Sequence, residues 1–181
     1  MSVNHLKKTG PLILEMSQVH WPAVAQIYKE GIATGFATFE KKIPSYEQWN
    51  KNHFPCCRLV ALSDNKILGW AALSPVSGRR VYAGVAEVSI YIAGAARGLG
   101  IGSALMEELK TSSEKEGFWT LQSGIFPENK ASIKLHEKSG FRLLGRRERV
   151  GQIDGVWKDN LLFERRSKIV GIDLGTLNLN K

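Results

Sequence analysis

Cysteine is nearly absent from this chain: two residues in 181, Cys56 and Cys57, side by side. Neighbouring cysteines rarely close a strain-free disulfide, so no oxidised framework is implied and a reducing compartment fits. His53 precedes them closely, but without a further ligand or a second cluster the group makes no metal site, and no metal is expected. Long apolar runs are missing as well. None approaches the roughly 20 residues that span a bilayer, so no membrane partner is expected. Met1 to Pro11 carries Lys7 and Lys8 but neither the apolar core nor the small-residue cleavage site of a secretory signal. The expected location is cytoplasmic. No repeat, low-complexity segment or Pro/Gly/Ser-rich linker divides the chain, which reads as one domain over 1–166 and a patternless tail, 167–181, expected to be loosely ordered.

Acidic residues are the minority, 17 against 25 Lys and Arg, for a formal charge of +8. The basic residues are scattered and not interleaved with aromatics in a binding stripe, so nucleic acid is not the expected partner. A basic surface also suits a small polyanionic cofactor. What remains is an ordinary globular composition, 43% hydrophobic and 23% charged.

Hydrophobic patterning gives the order β-α-α-β-β-β-α-β-α-β-β. Strands are expected over 12–15, 58–62, 67–73, 85–92, 119–125, 141–150 and 156–164. Helices are expected over 19–32, capped by Ser17, and through Trp49 from a Ser45/Gln48 capping box. Two more follow the turn 97–102 and run over 129–138. Ser63 to Lys66 reads as a hairpin turn, Gly151 to Gly155 as another, and Thr34 to Phe39 as a loop. Hairpins first and strand–helix alternation later argue for a mixed α/β (α+β) sheet rather than a doubly wound parallel one.

The densest motif is Arg97-Gly98-Leu99-Gly100-Ile101-Gly102-Ser103, between a strand and a helix. Glycines bring backbone N–H groups close to a ligand, and a helix N-terminus adds partial positive charge, together a pyrophosphate site. A Walker loop needs a lysine before the Ser/Thr, and none is present. A dinucleotide fingerprint needs its third glycine where Leu105 stands and a place near the start of a βαβ unit. An ordinary Gly-rich turn is the alternative.

Two longer strings decide between them. Val88 to Leu105 resembles the acetyl-CoA motif of the GNAT superfamily, and Ile125 to Phe141, with Asn129, Ala131, Ser132 and Gly140, is similar to its second motif. Over about 12–166, the segments Gly31 to Glu40, Gly69 to Val76 and Gly84 to Tyr91 resemble the phosphinothricin/methionine sulfoximine N-acetyltransferase branch, which acts on L-amino acids. The resemblance implies the GNAT fold: a mostly antiparallel sheet of about seven strands flanked by about four helices and splayed at the acetyl-CoA strand. It also implies acetyl-CoA as cofactor, a homodimer, and a free amino acid or analogue as acceptor.

The same resemblance suggests roles. Glu87 stands at the proposed general base, and burial between Ala86 and Val88 would make it a stronger base; a solvated strand carboxylate is the alternative. Ile90, Tyr91 and Ile92 offer backbone groups to the pantetheine arm and the thioester oxygen. Gly98, Leu99, Gly100, Ile101, Gly102 and Ser103, with Arg97, would hold the pyrophosphate. Asn129 and Ser132 contact the cofactor or merely start their helix. His136 stands where many relatives carry a tyrosine acid, and is otherwise a satisfied helix histidine. Arg80, Val81 and Tyr82 match an acceptor-contacting loop, with Arg80 able to grip a carboxylate or simply be solvated, and Phe36 with Phe39 would wall the pocket or belong to the core. Rival readings are a peptide N-terminal or aminoglycoside acetyltransferase, a non-catalytic CoA-binding module and an RNA-binding protein.

Overall fold

The structure, a computed structural model, describes residues 10–172. Along the chain come β1 (Leu12–Glu15), α1 (Trp21–Ala33), α2 (Tyr46–Asn52), β2 (Leu59–Ser63), β3 (Lys66–Pro75) and β4 (Val85–Ile92). The second half holds α3 (Ile101–Lys115), β5 (Thr120–Ile125), α4 (Lys130–Lys138), β6 (Arg142–Ile153) and β7 (Val156–Arg166). The element order is the expected one. α1 starts later than the pattern suggests, behind a 3-10 turn at Gln18–His20, with Pro22 in its first turn where a missing N–H is no loss. α2 starts as expected: the Ser45 hydroxyl accepts from the Gln48 N–H at 3.2 Å.

Two tight turns use left-handed residues. Asp64 and Asn65 have φ of 48° and 57°, and Asp154 and Gly155 have 49° and 79°, the signature of two-residue hairpins. The second turn is therefore shorter than the expected 151–155. Gly151 stays in β6 because the Phe39 ring packs on it; a Cβ there would lie 2.6 Å from that ring.

The strands form one sheet in the order β1-β2-β3-β4-β5-β7-β6, antiparallel throughout except for β4 against β5. Its two faces differ. On one, α3 sets Ile101, Leu105, Met106 and Leu109 against Ala71, Leu73, Ala86, Val88, Leu121 and Phe163. On the other, α1 sets Val24, Ile27 and Tyr28, with Trp49 of α2, against Val60, Trp70 and Ala72. Buried residues of α1 fall at Val24, Ile27, Tyr28 and Gly31, one stripe of a helix. This second cluster covers only β1 to β4, with Leu14 of β1 at its edge. Over β5, β7 and β6 the same face carries the loop after α1, which rests Phe39 on Phe126 and Gly151 and pairs Lys41 with Asp154.

Beyond β7, Ser167 is buried and bonded through its hydroxyl to Glu114, and Arg166 donates to the carbonyls of Val170 and Gly171. The tail thus packs on the domain through its first residues. Residues 173–181 and most of the segment Met1 to Pro11 lie outside the described residues. Both thiols are free, and burial pushes the Cys57 thiol up to about 12, an inert side chain at neutral pH. No described helix is long and apolar enough to cross a membrane, and no group of three or more potential metal ligands occurs among the described residues.

Candidate active site

β4 and β5 run side by side for only three residues. Val85, Ala86 and Glu87 pair with Thr120, Leu121 and Gln122, and there the ladder stops. β4 continues to Ile92 paired with β3 alone, while β5 continues to Ile125 paired with β7 alone. The strands thus diverge immediately after Glu87. The hydrogen-bond parity says which groups face the opening. The Ala93 N–H donates to Leu68 of β3, while the Gly84 carbonyl accepts from Thr120 on the β5 side. Backbone groups alternate sides along a strand, so Ile90 and Ile92 turn N–H and C=O toward the gap and Tyr91 turns its own toward β3. Of the three expected backbone contacts, two face the opening. Tyr91 serves otherwise: its ring stacks on Trp70 at 4.8 Å and fills the space a side chain at Gly31 would need. Burial pushes both the Tyr91 and Tyr28 phenols up, so both remain neutral.

The glycine turn lies next along the chain. Gly98 and Gly100 adopt φ of 76° and 82°, a conformation that costs other residues about 1–2 kcal/mol. Nothing stands within 4 Å of a Cβ built at either, so the conformation and not crowding requires glycine. Arg97, Leu99 and Ser103 are exposed, while Ile101 is buried in the core. The α3 N-terminus has no side-chain cap and no acidic residue in its first turn, which leaves its first N–H groups open to an anion. Gly102 serves packing: a side chain there would meet Leu135 of α4 at 3.1 Å.

α4 is capped and braced internally by its own polar residues. The Asn129 side-chain Oδ1 accepts from the Ser132 N–H at 3.2 Å, the N-cap role. His136 is 1% exposed, against Phe141 and Phe163, with Nδ1 at 2.8 Å from the Ser132 carbonyl. A carbonyl only accepts, so Nδ1 carries the proton and Nε2 is a bare acceptor, without a partner among the described residues. Donation from Nε2 would need the imidazolium, which burial disfavours by lowering the His136 pKa.

Glu87 is exposed rather than buried, because its side chain stands on the sheet face that α1 leaves open at β4 and β5. The expectation of a buried carboxylate is thus corrected. Gln122 and Ser74 are its cross-strand neighbours. On the same face Val76, Ser77, Tyr82, Val85, Thr120, Gln122 and Glu164 line a hollow of about 380 Å³. Arg80, Val81 and Tyr82 form an exposed 3-10 turn at its rim, with Arg79 over the Tyr82 ring at 5.6 Å. Phe36 and Phe39 are partly exposed on the loop after α1, and Phe39 meets Phe126 edge-on at 4.6 Å.

Sequence reasoning missed Gln122, whose place depends on the β4–β5 register. It also missed Glu30, whose carboxylate accepts from the Gly94 N–H at 2.7 Å and ties α1 to the chain leaving β4. Neither has a local signal.

The geometry can be set beside known proteins. The profile of the Acetyltransferase (GNAT) family matches residues 21–141. An L-methionine sulfoximine/L-methionine sulfone acetyltransferase of Pseudomonas aeruginosa is 32% identical over 147 residues, 76% of this chain and 84% of that protein. A crystal structure of a ribosomal-protein-alanine N-acetyltransferase from Brucella melitensis superposes with a TM-score of 0.80 at 31% identity, over 86% of this chain and 99% of the other. A phosphinothricin acetyltransferase from Sinorhizobium meliloti, solved with acetyl-CoA, gives 0.78 at 27% identity over 92% and 98%. A seven-stranded sheet that opens after Glu87, a left-handed glycine turn and these likenesses converge: the chain belongs to the acetyltransferase (GNAT) family.

Proposed function

We propose that this acetyltransferase moves the acetyl group of acetyl-CoA to the α-amino group of a small amino acid or analogue, of the phosphinothricin, methionine sulfoximine or methionine sulfone type. The observation that carries the reading is the end of the β4–β5 ladder at Glu87, which sets a solvent-reaching carboxylate beside a gap edged by free backbone groups. The residues fit acetyl-CoA. The open backbone of Gly98 to Gly102 and the uncapped start of α3 suit its pyrophosphate, with Arg97 and Ser103 alongside. Ile90 and Ile92 would bond its pantetheine arm as an added strand. When bound, the cofactor supplies an activated acetyl thioester.

Glu87 takes a proton from the acceptor ammonium, directly or through water, and so frees the nitrogen lone pair. The Ile90 or Ile92 N–H donates toward the carbonyl oxygen as charge gathers there. A carbon–nitrogen bond forms, the carbon–sulfur bond breaks, and the nitrogen's second proton ends on the departing sulfur. A thiol pKa of about 8.5 makes thiolate a good leaving group, so the step needs no buried acid. Arg80, Val81 and Tyr82 would bind the acceptor, with Arg80 gripping its carboxylate, and Phe36 would border its side chain. Asn129, Ser132 and His136 bond to one another within α4 and its cap, and α4 would flank the cofactor. The likeness to a ribosomal-protein-alanine enzyme favours a second reading, a peptide N-terminus as acceptor.

We also propose a homodimer. The β6–β7 hairpin exposes Leu143, Leu144, Val150, Val156 and Trp157, an apolar set that a second copy would cover. The chemistry is tested by mass spectrometry after incubation with acetyl-CoA and methionine sulfone. The N-acetyl product is expected. Hydrolysis of acetyl-CoA without an acetylated amine would contradict the reading.

A further inference from the structure

One polar side chain on this face has no role in the chemistry above. Asn160 lies in β7 two residues before Leu162, the cross-strand partner of Gly124, so its side chain shares the face of Gln122 and Glu87. It is 8% exposed, and its Oδ1 is enclosed with no hydrogen-bond partner among the described residues. The amide leans over β5: a Cβ at Gly124 would stand 2.8 Å from Nδ2 and 2.9 Å from Oδ1. Gly124 is exposed and belongs to the stretch of β5 that β4 no longer pairs. The amide is therefore aimed at the open strand that borders the gap.

An unpaired buried amide oxygen destabilises a fold, and an apolar residue of the same size would avoid that. Of the two amide ends only Oδ1 is enclosed and unpaired. A half-turn about the soft χ2 angle exchanges them. Among the described residues no group donates to this oxygen, and that half-turn would carry it to the open side of the amide, where a bound molecule can donate to it.

We propose that Asn160 is a specificity residue of the acceptor pocket, its Oδ1 accepting a hydrogen bond from an N–H of the acceptor. The assignment rests on the amino-acid reading. Two N–H sources are open to it, the α-amine and a side-chain N–H such as that of a sulfoximine. Methionine sulfoximine and methionine sulfone differ in that one group, which separates the sources.

The test is steady-state kinetics of wild type and Asn160→Leu on both acceptors, with KM for acetyl-CoA and thermal unfolding measured alongside. Asn160→Val serves as a second apolar variant should the leucine not fold. The expected variant is at least as stable as wild type, keeps its KM for acetyl-CoA, and raises the acceptor KM about tenfold, the loss of one hydrogen bond to a charged or polar group. A rise for the sulfoximine alone assigns the contact to the side chain, and a rise for both assigns it to the amine. A folded variant with unchanged acceptor KM overturns the proposal, as does an equal rise in KM for acetyl-CoA. Wild type that acetylates neither acceptor overturns the amino-acid reading first, and this assignment with it.

Discussion

A carboxylate at the end of a strand ladder can receive a proton, and a glutamine of the same shape cannot. Glu87→Gln is therefore expected to lower turnover at neutral pH by on the order of a hundredfold, with acetyl-CoA affinity by calorimetry unchanged. Equal turnover of variant and wild type across pH removes Glu87 as the base. Arg80→Ala is expected to raise the KM for a free amino acid roughly tenfold, and much less for its amide, because only the acid carries the carboxylate that a guanidinium grips. Equal losses on both would argue against carboxylate recognition. At this scale the sequence was informative where chemistry is local. Gly98 and Gly100 stand out because a left-handed turn before a helix requires glycine, and Asn129 because capping spans three residues. It was silent on Asn160 and Gln122, whose meaning comes from strands that pair across long stretches of chain. It also misjudged the surroundings of Glu87, because apolar sequence neighbours on a strand point to the opposite face.

The elements proposed to hold the cofactor are the glycine turn with α3 and the capped α4. Gly100→Ala is expected to cost about 1 kcal/mol in stability and to weaken acetyl-CoA binding, read by chemical denaturation and calorimetry; unchanged binding would separate the turn from the cofactor. Two histidines, His136 in α4 and His53 at the end of α2, carry a titration. Burial holds both His136 and His53 below the ordinary histidine range. In the unfolded chain each titrates near about 6.5. Between that value and the lower folded values the unfolded chain binds more protons, so stability rises with pH there. The contribution is complete above about pH 6.5 and is lost as pH falls through the folded values. The melting temperature should fall from about pH 7 to about pH 5, and His136→Asn should flatten some of that fall. An unchanged slope would place the acid sensitivity elsewhere. Element order and the β4 limits were readable from periodicity alone. The shortened second hairpin was not, since Gly151 is kept in its strand by Phe39, far away in sequence.

Across the whole molecule, one face of the sheet is closed by α3 and α4 and the other is only half covered, by α1 and α2. Under the proposed function, that asymmetry would give the cofactor and the acceptor separate approaches to a common gap. Near the C-terminal strands three basic side chains are matched by acids, Arg142 with Glu164, Arg146 with Asp159 and Arg165 with Glu114, which leaves the net charge of +8 to the other basic residues. Such pairs add little stability individually but occupy charges that would otherwise attract polyanions. If the exposed β6–β7 hairpin joins two copies, light scattering will report twice the 20.1 kDa chain mass, and Trp157→Lys will halve it. A wild-type chain of single mass would leave that hairpin unpartnered. The central claim is the acceptor class, and CoA release from acetyl-CoA across a panel of amines tests it most directly. The panel holds methionine sulfoximine, methionine sulfone, phosphinothricin, the common L-amino acids, an aminoglycoside and a peptide with N-terminal alanine. Release confined to the free amino acids and their analogues is the predicted result, and release with the peptide alone would contradict it.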